Sequence, residues 1–258
     1  LADSLAVDTE RPSEWSPLSA LQCASDESGA TILVGVPTRG AGGDSEKSKP
    51  HISMLRLSPD APVECYSKQY LHADELPFFD PGPIAPNVVS LDDDSCAGSS
   101  RVGLAICFEL GVPAHAAATF GAGAELYLAS VAKHAAGMDA AEKTLTGEHR
   151  APSALFLLSI GLVVTCCHMQ RFESLCCCIV VLDLSRAYKA PTLLVNCIGK
   201  SDGDGMLCTG GSAVWDAAGH CIGRLPTDSA GILIYNESDG STKAVLCEDS
   251  KRGTQQSL

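Results

Sequence analysis

Cys107 stands at the top of the run Val102-Gly-Leu-Ala-Ile-Cys-Phe-Glu-Leu110, the most chemically suggestive stretch of this 258-residue chain. Apolar residues and a glycine climb to the cysteine, and a carboxylate, Glu109, follows two residues later. The Ala- and Gly-rich segment beyond reads as a helix. A cysteine at a strand-to-helix turn lies at a sheet edge near a positive helix end, which favours the thiolate. That is a setting for a nucleophile. The plainer reading is a buried structural cysteine, since Cys is among the most buried residue types.

A second cluster weighs against the plainer reading. Tyr66-Ser-Lys-Gln-Tyr-Leu71 is followed by Glu75, Pro77, Phe78, Phe79 and Pro81-Gly82. Tyr-x-Lys-x-x-Leu, then Glu, an aromatic and Pro-Gly, then Gly-x-x-Ile-Cys-x-Glu, resembles the carbon-nitrogen hydrolase (nitrilase) superfamily, and the spacing from Lys68 to Cys107 fits it. Further motifs follow in the family's order. Ala124-Glu-Leu-Tyr-Leu-Ala-Ser130 resembles the strand after the nucleophile helix. Asn196-Cys-Ile-Gly199 resembles its Asn-x-x-Gly, Gly211-Ser-Ala-Val-Trp-Asp216 with Gly219 its Gly-Ser hairpin, and Gly231-Ile-Leu-Ile-Tyr235 its closing strand. The resemblance covers most of residues 30–235.

The resemblance implies a Cys nucleophile, Cys107, that forms a thioester acyl-enzyme with a small amide, assisted by Lys68. Glu75 matches the family's additional glutamate, which holds the lysine or orients the substrate; a loop carboxylate in solvent is the plain alternative. Phe108 and Ser130 lie where the family builds its substrate pocket. Glu109 reads as structural, a carboxylate in the first turn after the cysteine. His115 and His134 invite a Cys-His dyad, but His115 should point away from the turn, and a surface or satisfied histidine is the better reading of both. Asn196 reads as a residue that ties a turn together. Gly40-Ala-Gly-Gly43 lacks the lysine and helix of a phosphate loop. No metal and no cofactor are expected.

These residues need elements to place them. The polar N-terminal segment reads as a helix over Ser16 to Ser28, with Pro17 in its first turn. Thr31 to Val36 reads as a buried strand ended by Pro37, and residues 38–50 as a loop. His51 to Leu57 alternates and reads as an edge or hairpin strand. Val63 to Tyr70 is the strand that carries Lys68, and residues 72–87 a Pro-rich connection. Arg101 to Cys107 and Leu126 to Ser130 read as strands, Val112 to Gly121 and the stretch from Met138 to Leu145 as helix. Strands are expected at Pro191 to Cys197, Ser212 to Asp216, His220 to Leu225 and Gly231 to Tyr235. Alternating strands and helices suit a layered α/β sandwich. The resemblance sharpens this to a four-layer αββα sandwich, incomplete at the N-terminus. It also implies a homodimer or larger homo-oligomer. The domain is expected over residues 1–240, with a polar tail at 241–258.

Composition narrows the partners. A net charge of −13 argues against nucleic acid and anionic membrane. The 13 cysteines, an odd number without framework spacing, suggest free thiols in a reducing, cytoplasmic setting.

Two departures from the family pattern carry expectations of their own. The family's triad is Glu-Lys-Cys, and its Glu belongs to an upstream Pro-Glu strand that nothing here matches; Glu10 and Glu14 follow no apolar strand. The missing strand, crossover and Glu-bearing strand amount to about 40 residues. Loss of a positioned base costs about 10²–10⁴-fold in rate, and an unpaired sheet edge costs stability. This chain is therefore expected to be poorly stable and nearly inactive. If it is inactive, the alternative is a non-catalytic binding or oligomerisation scaffold of the same fold.

The second departure is residues 147–183, a non-family insertion. Ala154 to Val164 is apolar, Cys166-Cys-His168 follows, then Arg171 and Glu173, then Cys176-Cys-Cys-Ile-Val-Val-Leu182. The two apolar runs fall short of the roughly 18–20 residues of a membrane helix, so a membrane tether is not favoured. Adjacent cysteines chelate metal poorly compared with spaced pairs. A translated intron is favoured instead. Gly147-Glu148 can be written GGT GAG, and Leu184-Ser185 CTC AGC, which contain donor and acceptor sequences. A lineage-specific hydrophobic insertion is the remaining alternative.

Overall fold

The computed structural model describes residues 6–8, 16–39, 48–85, 87–91, 100–132, 184–200, 207–227 and 229–247. The insertion at 147–183, the helix expected from Met138, His134, Glu10 and Glu14 lie outside the described residues. The chain divides into two compact units, residues 1–123 and 124–258.

The first unit holds a sheet of order β1-β2-β3-β4, formed by β1 (Val7–Asp8), β2 (Ile32–Arg39), β3 (His51–Leu57) and β4 (Glu64–Ser67). β1 runs parallel to β2, and the remaining pairs are antiparallel. Helix α1, Ser16–Ser28, covers this sheet. Its Leu18 joins Val7, Val36, Leu55 and Leu57 in a buried cluster. The Ser25 hydroxyl closes the helix end by donating to the Ala30 and Leu57 carbonyls. In the same unit β5 (Val88–Leu91) pairs antiparallel with β6 (Ser100–Ile106), and helix α2 (Pro113–Gly121) follows.

Three expectations are corrected here. β2 runs through Pro37 to Arg39 instead of ending at it. Pro37 faces Ile52, whose carbonyl turns the other way to accept from the Lys68 N–H at 2.8 Å. The Pro37–Ile52 pair is thus non-hydrogen-bonded, and the missing proline N–H removes no bond to β3. Of the edge and hairpin alternatives for His51–Leu57, the hairpin holds and the edge does not, because β2 and β4 flank the strand antiparallel on both sides. β4 ends at Ser67, not Tyr70. After the Lys68 N–H, which still bonds Ile52 O, the N–H groups of Gln69 and Tyr70 leave the ladder for the Glu109 carboxylate.

The second unit carries strands in the order β12-β11-β8-β7: β7 (Leu126–Val131), β8 (Thr192–Asn196), β11 (Ala213–Trp215) and β12 (Cys221–Arg224). β7 and β8 are parallel, the others antiparallel. Leu126, Tyr127, Ala129, Leu194, Val214 and Trp215 are buried. β9 (Ile198–Lys200) pairs with β10 (Leu207–Thr209), and β13 (Gly231–Tyr235) with β14 (Thr242–Leu246). The strands β5, β9, β10 and β14 have no counterpart in the sequence reading, and β14 falls in the segment read as a polar tail.

Candidate active site

β6 delivers Cys107. Val102, Leu104, Ala105 and Ile106 are all buried, so both faces of the strand lie in the core. The strand stops at Ile106, and Cys107 adopts φ +50°. A non-glycine residue in the left-handed region carries backbone strain, and such residues gather at functional sites. A short 3₁₀ turn, Cys107–Gly111, precedes α2, which starts at Pro113. Cys107 itself is half-buried.

Lys68 emerges where β4 ends. Its N–H bonds Ile52 O at 2.8 Å, and its carbonyl accepts from the Gly82 N–H at 2.7 Å. The Gly82 contact needs glycine, because a Cβ there would sit 2.5 Å from Ser67 O. The Lys68 side chain is 0% exposed, and its ammonium donates to both Glu75 oxygens at 2.6 Å. A buried ammonium is tolerable only when paired in this way. Glu75 is fixed in turn by the His72 N–H, 2.7 Å from Oε2. Glu75 therefore holds the lysine and is not a free loop carboxylate.

Glu109 is fully buried. Its Oε2 accepts from the Ile106 N–H at 2.8 Å and the Tyr66 hydroxyl at 2.8 Å. Its Oε1 accepts from the Gln69 N–H at 2.6 Å and the Tyr70 N–H at 3.3 Å. Burial pushes the carboxyl above its ordinary range, against the downward pull of those four bonds. With each oxygen already accepting two donors, Glu109 has no position left from which to take a proton from Cys107.

His115 does not point away from the turn. Its Nε2 lies 3.7 Å from Glu109 Oε2, 2.9 Å from the Tyr66 hydroxyl and 3.0 Å from Asn87 Nδ2. The 3₁₀ turn resets the helical phase before Pro113, so a 3.6-residue count from Cys107 misplaces the ring. Burial lowers the His115 pKa to about 4, which keeps the imidazole neutral. Asn87 continues the network. It donates to Leu104 O and accepts from the Thr119 hydroxyl at 2.8 Å. Sequence reasoning missed Tyr66, Gln69 and Asn87. Only Tyr66 had a signal, as part of the motif around Lys68.

The first unit thus brings together Lys68, Glu75, Cys107 and Phe108. Phe108 is half-buried, its ring edge-on to His72 with centroids 5.3 Å apart. Ser130 lies on β7 in the second unit, half-buried and opposite Val195. Also in that unit, Asn196 Nδ2 donates to Gly210 O at 2.7 Å and ties the turn there. Among the described residues no three His, Cys, Asp or Glu side chains are grouped to hold a metal ion.

The sequence profile of the carbon-nitrogen hydrolase family matches residues 8–243. A search of the curated proteins gives no match. Among solved structures, the NitN amidase from Neterenkonia sp. AN1 superposes with TM-score 0.55 at 18% identity, over 88% of this chain and 66% of that one. An amidase from Nesterenkonia sp. gives TM-score 0.55 at 18% identity, over 89% and 65%. A mutant of the Nesterenkonia AN1 amidase, from the nitrilase superfamily, gives 0.57 at 16%, over 94% and 73%. The match thus spans a little under two thirds of the length of the first two amidases, and at these identities the likeness is one of fold. A profile that runs through most of the chain, over an α/β sandwich in which a buried strand ends at a cysteine, makes this chain a member of the carbon-nitrogen hydrolase family.

Proposed function

We propose that the chain is a Cys-dependent hydrolase of non-peptide carbon-nitrogen bonds, acting as an amidase on a small linear amide. The observation that carries this reading is Cys107 at φ +50°, joined through Glu109 to the strand end that bears the buried Lys68–Glu75 pair. Cys107 Sγ attacks the carbonyl carbon, and its thiol proton passes to a general base. The oxyanion is met by the Phe108 N–H and the Lys68 ammonium. The C–N bond breaks, ammonia or an amine leaves with that proton, and a thioester forms. Water then attacks the thioester and releases the acid, regenerating the thiol. Phe108 contributes to the substrate pocket. Nitriles are the less favoured substrate.

In the triad that the resemblance implies, the base is a glutamate matched by no residue of this sequence. The isolated 258-residue polypeptide is accordingly expected to turn over slowly. Ordinary ammonia release from small amides by that polypeptide, followed by a coupled assay, would sink the expectation of impairment. None of the seven described cysteines is joined in a disulfide, which supports a reducing, cytoplasmic setting. No helix among the described residues is long and apolar enough to cross a membrane. Homo-oligomerisation follows from the resemblance alone and is checked by light scattering.

The decisive test is competitive alkylation with iodoacetamide at neutral pH, read by peptide mass spectrometry. Cys107 should label faster than the exposed Cys23, Cys65, Cys197, Cys221 and Cys247. Labelling no faster than these in a folded sample defeats the enzyme and favours a non-catalytic scaffold.

A further inference from the structure

We propose that Glu109 is a positioning residue of this reaction, whose buried carboxylate locks the Cys107 turn onto the strand end that carries Lys68. The inference rests on the amidase reading and deepens it. A helix-capping carboxylate needs only the N–H groups of its own turn, and the Ile106 bond is of that kind. The other three bonds are not. They run to Tyr66, Gln69 and Tyr70, on a segment about 40 residues away in sequence.

The geometry of those bonds is specific. Tyr66 and Gln69 bracket Lys68 in sequence, and both donate to Glu109. Ile106 immediately precedes Cys107 and donates to the same carboxylate. One side chain therefore fixes the backbone beside the nucleophile, the backbone just after the lysine and the Tyr66 side chain just before it. Tyr66 is itself held, through His115 and Asn87, against β6 and α2.

Burying a carboxylate without a cation is costly unless every lone pair is met. Among the described residues no lysine or arginine pairs with Glu109, and the His115 imidazole at 3.7 Å is kept neutral by burial. N–H and O–H dipoles carry the charge instead. Dipoles are directional, so the carboxylate sets distances as well as neutralising polarity. Reacting groups must be held within about 0.5 Å, and an error near 1 Å costs about 10²-fold.

The test compares two reactions at Cys107 in the full chain. Alkylation by iodoacetamide forms the S–C bond and expels iodide, and it builds no oxyanion. Acylation by p-nitrophenyl acetate forms the thioester and expels p-nitrophenolate through an oxyanion that must meet Lys68 and the Phe108 N–H. Neither reaction needs the base for departure of an amine. In Glu109→Gln an amide NH₂ faces backbone donors, and acylation should fall about 10²-fold while alkylation is unchanged. Tyr66→Phe removes one donor and keeps the ring, and acylation should fall about tenfold, the weight of one hydrogen bond to a charged group. Glu109→Asp should recover part of the Glu109→Gln loss.

If Glu109→Gln loses its cooperative melting, Tyr66→Phe carries the test. Equal falls in both reactions, or no fall in acylation in a folded variant, overturn the positioning role. An unsubstituted chain that alkylates quickly but is never acylated overturns the amidase reading and the proposal with it. Normal acylation of the unsubstituted chain with no loss in either variant overturns the proposal alone.

Discussion

Two turns, one in each unit, end a strand, and they are built from different materials. The first follows β6 at Cys107, and the second follows β8 at Asn196. Around the second, the positive-φ positions are glycines: Gly199 at +103° in β9, and Gly210 at +61° and Gly211 at +72° between β10 and β11. Neutral groups hold it, with Asn196 Nδ2 on Gly210 O and the Asn196 N–H on the Ser212 hydroxyl at 3.0 Å. In the first, the left-handed residue is a cysteine. Its supports are an ion pair, Lys68–Glu75, and a buried carboxyl group, Glu109, beside His115. Where a turn serves only the fold, glycine takes the awkward backbone angle at little cost. Where the side chain itself is needed, the strain stays and buried polar groups must over-determine it.

The largest effect that separates the two turns is removal of a support. Glu75→Ala leaves the Lys68 ammonium buried without its carboxylate, and urea unfolding should show a loss of about 3–5 kcal/mol. Asn196→Ala leaves only neutral groups unsatisfied and should cost about 1–3 kcal/mol. Equal losses would erase the distinction between an ionic and a neutral support.

The pH dependence of stability sharpens the contrast. His115 titrates near 4 in the fold against an ordinary 6.5. Between those values the unfolded chain binds the proton that the native chain refuses, so stability falls as pH drops from about 6.5 toward 4. The loss approaches about 3 kcal/mol. Glu109 opposes it. A raised native pKa means that the fold takes up that proton more readily than the unfolded chain, so stability rises as pH falls through it. Melting temperatures from pH 7 to 4 should therefore decline more steeply for the unsubstituted chain than for His115→Asn. Parallel curves would remove His115 from the acid response of this turn.

The smallest effects have opposite signs. Gly199→Ala puts a Cβ into open space, so its whole cost is backbone strain at φ +103°, about 1–2 kcal/mol. Cys107→Gly relieves strain at φ +50° and should stabilise by about 1 kcal/mol, with loss of all acylation. A destabilised Cys107→Gly chain would mean that packing of the thiol outweighs the backbone term.

Several elements were legible because their signals are local. Helix α1 has its expected bounds, Ser16–Ser28, set by a proline in the first turn and a glycine just beyond the last. β6 was evident from its apolar run, and β13 from its resemblance to the family's closing strand. β5 and β14 were not, because four or five ordinary residues become a strand only when β6 or β13 supplies the partner. The length of β4 was also hidden, since a carboxylate about 40 residues away decides where the Gln69 and Tyr70 N–H groups turn.

The sequence by itself determined the candidate groups: a cysteine at the end of an apolar run, a lysine in a Tyr-x-Lys motif, and a glutamate in the Pro-rich loop after it. The apolar run suffices for the cysteine, and the lysine and the glutamate follow from the resemblance that their motifs bear to the carbon-nitrogen hydrolases. Only the tertiary structure decided which glutamate does what. Glu75 ended beside a buried ammonium and Glu109 among N–H donors, His115 turned inward to the carboxylate, and Cys107 took a left-handed angle. These are consequences of burial and of contacts between distant segments, which set the partners of a polar group and which no local pattern encodes.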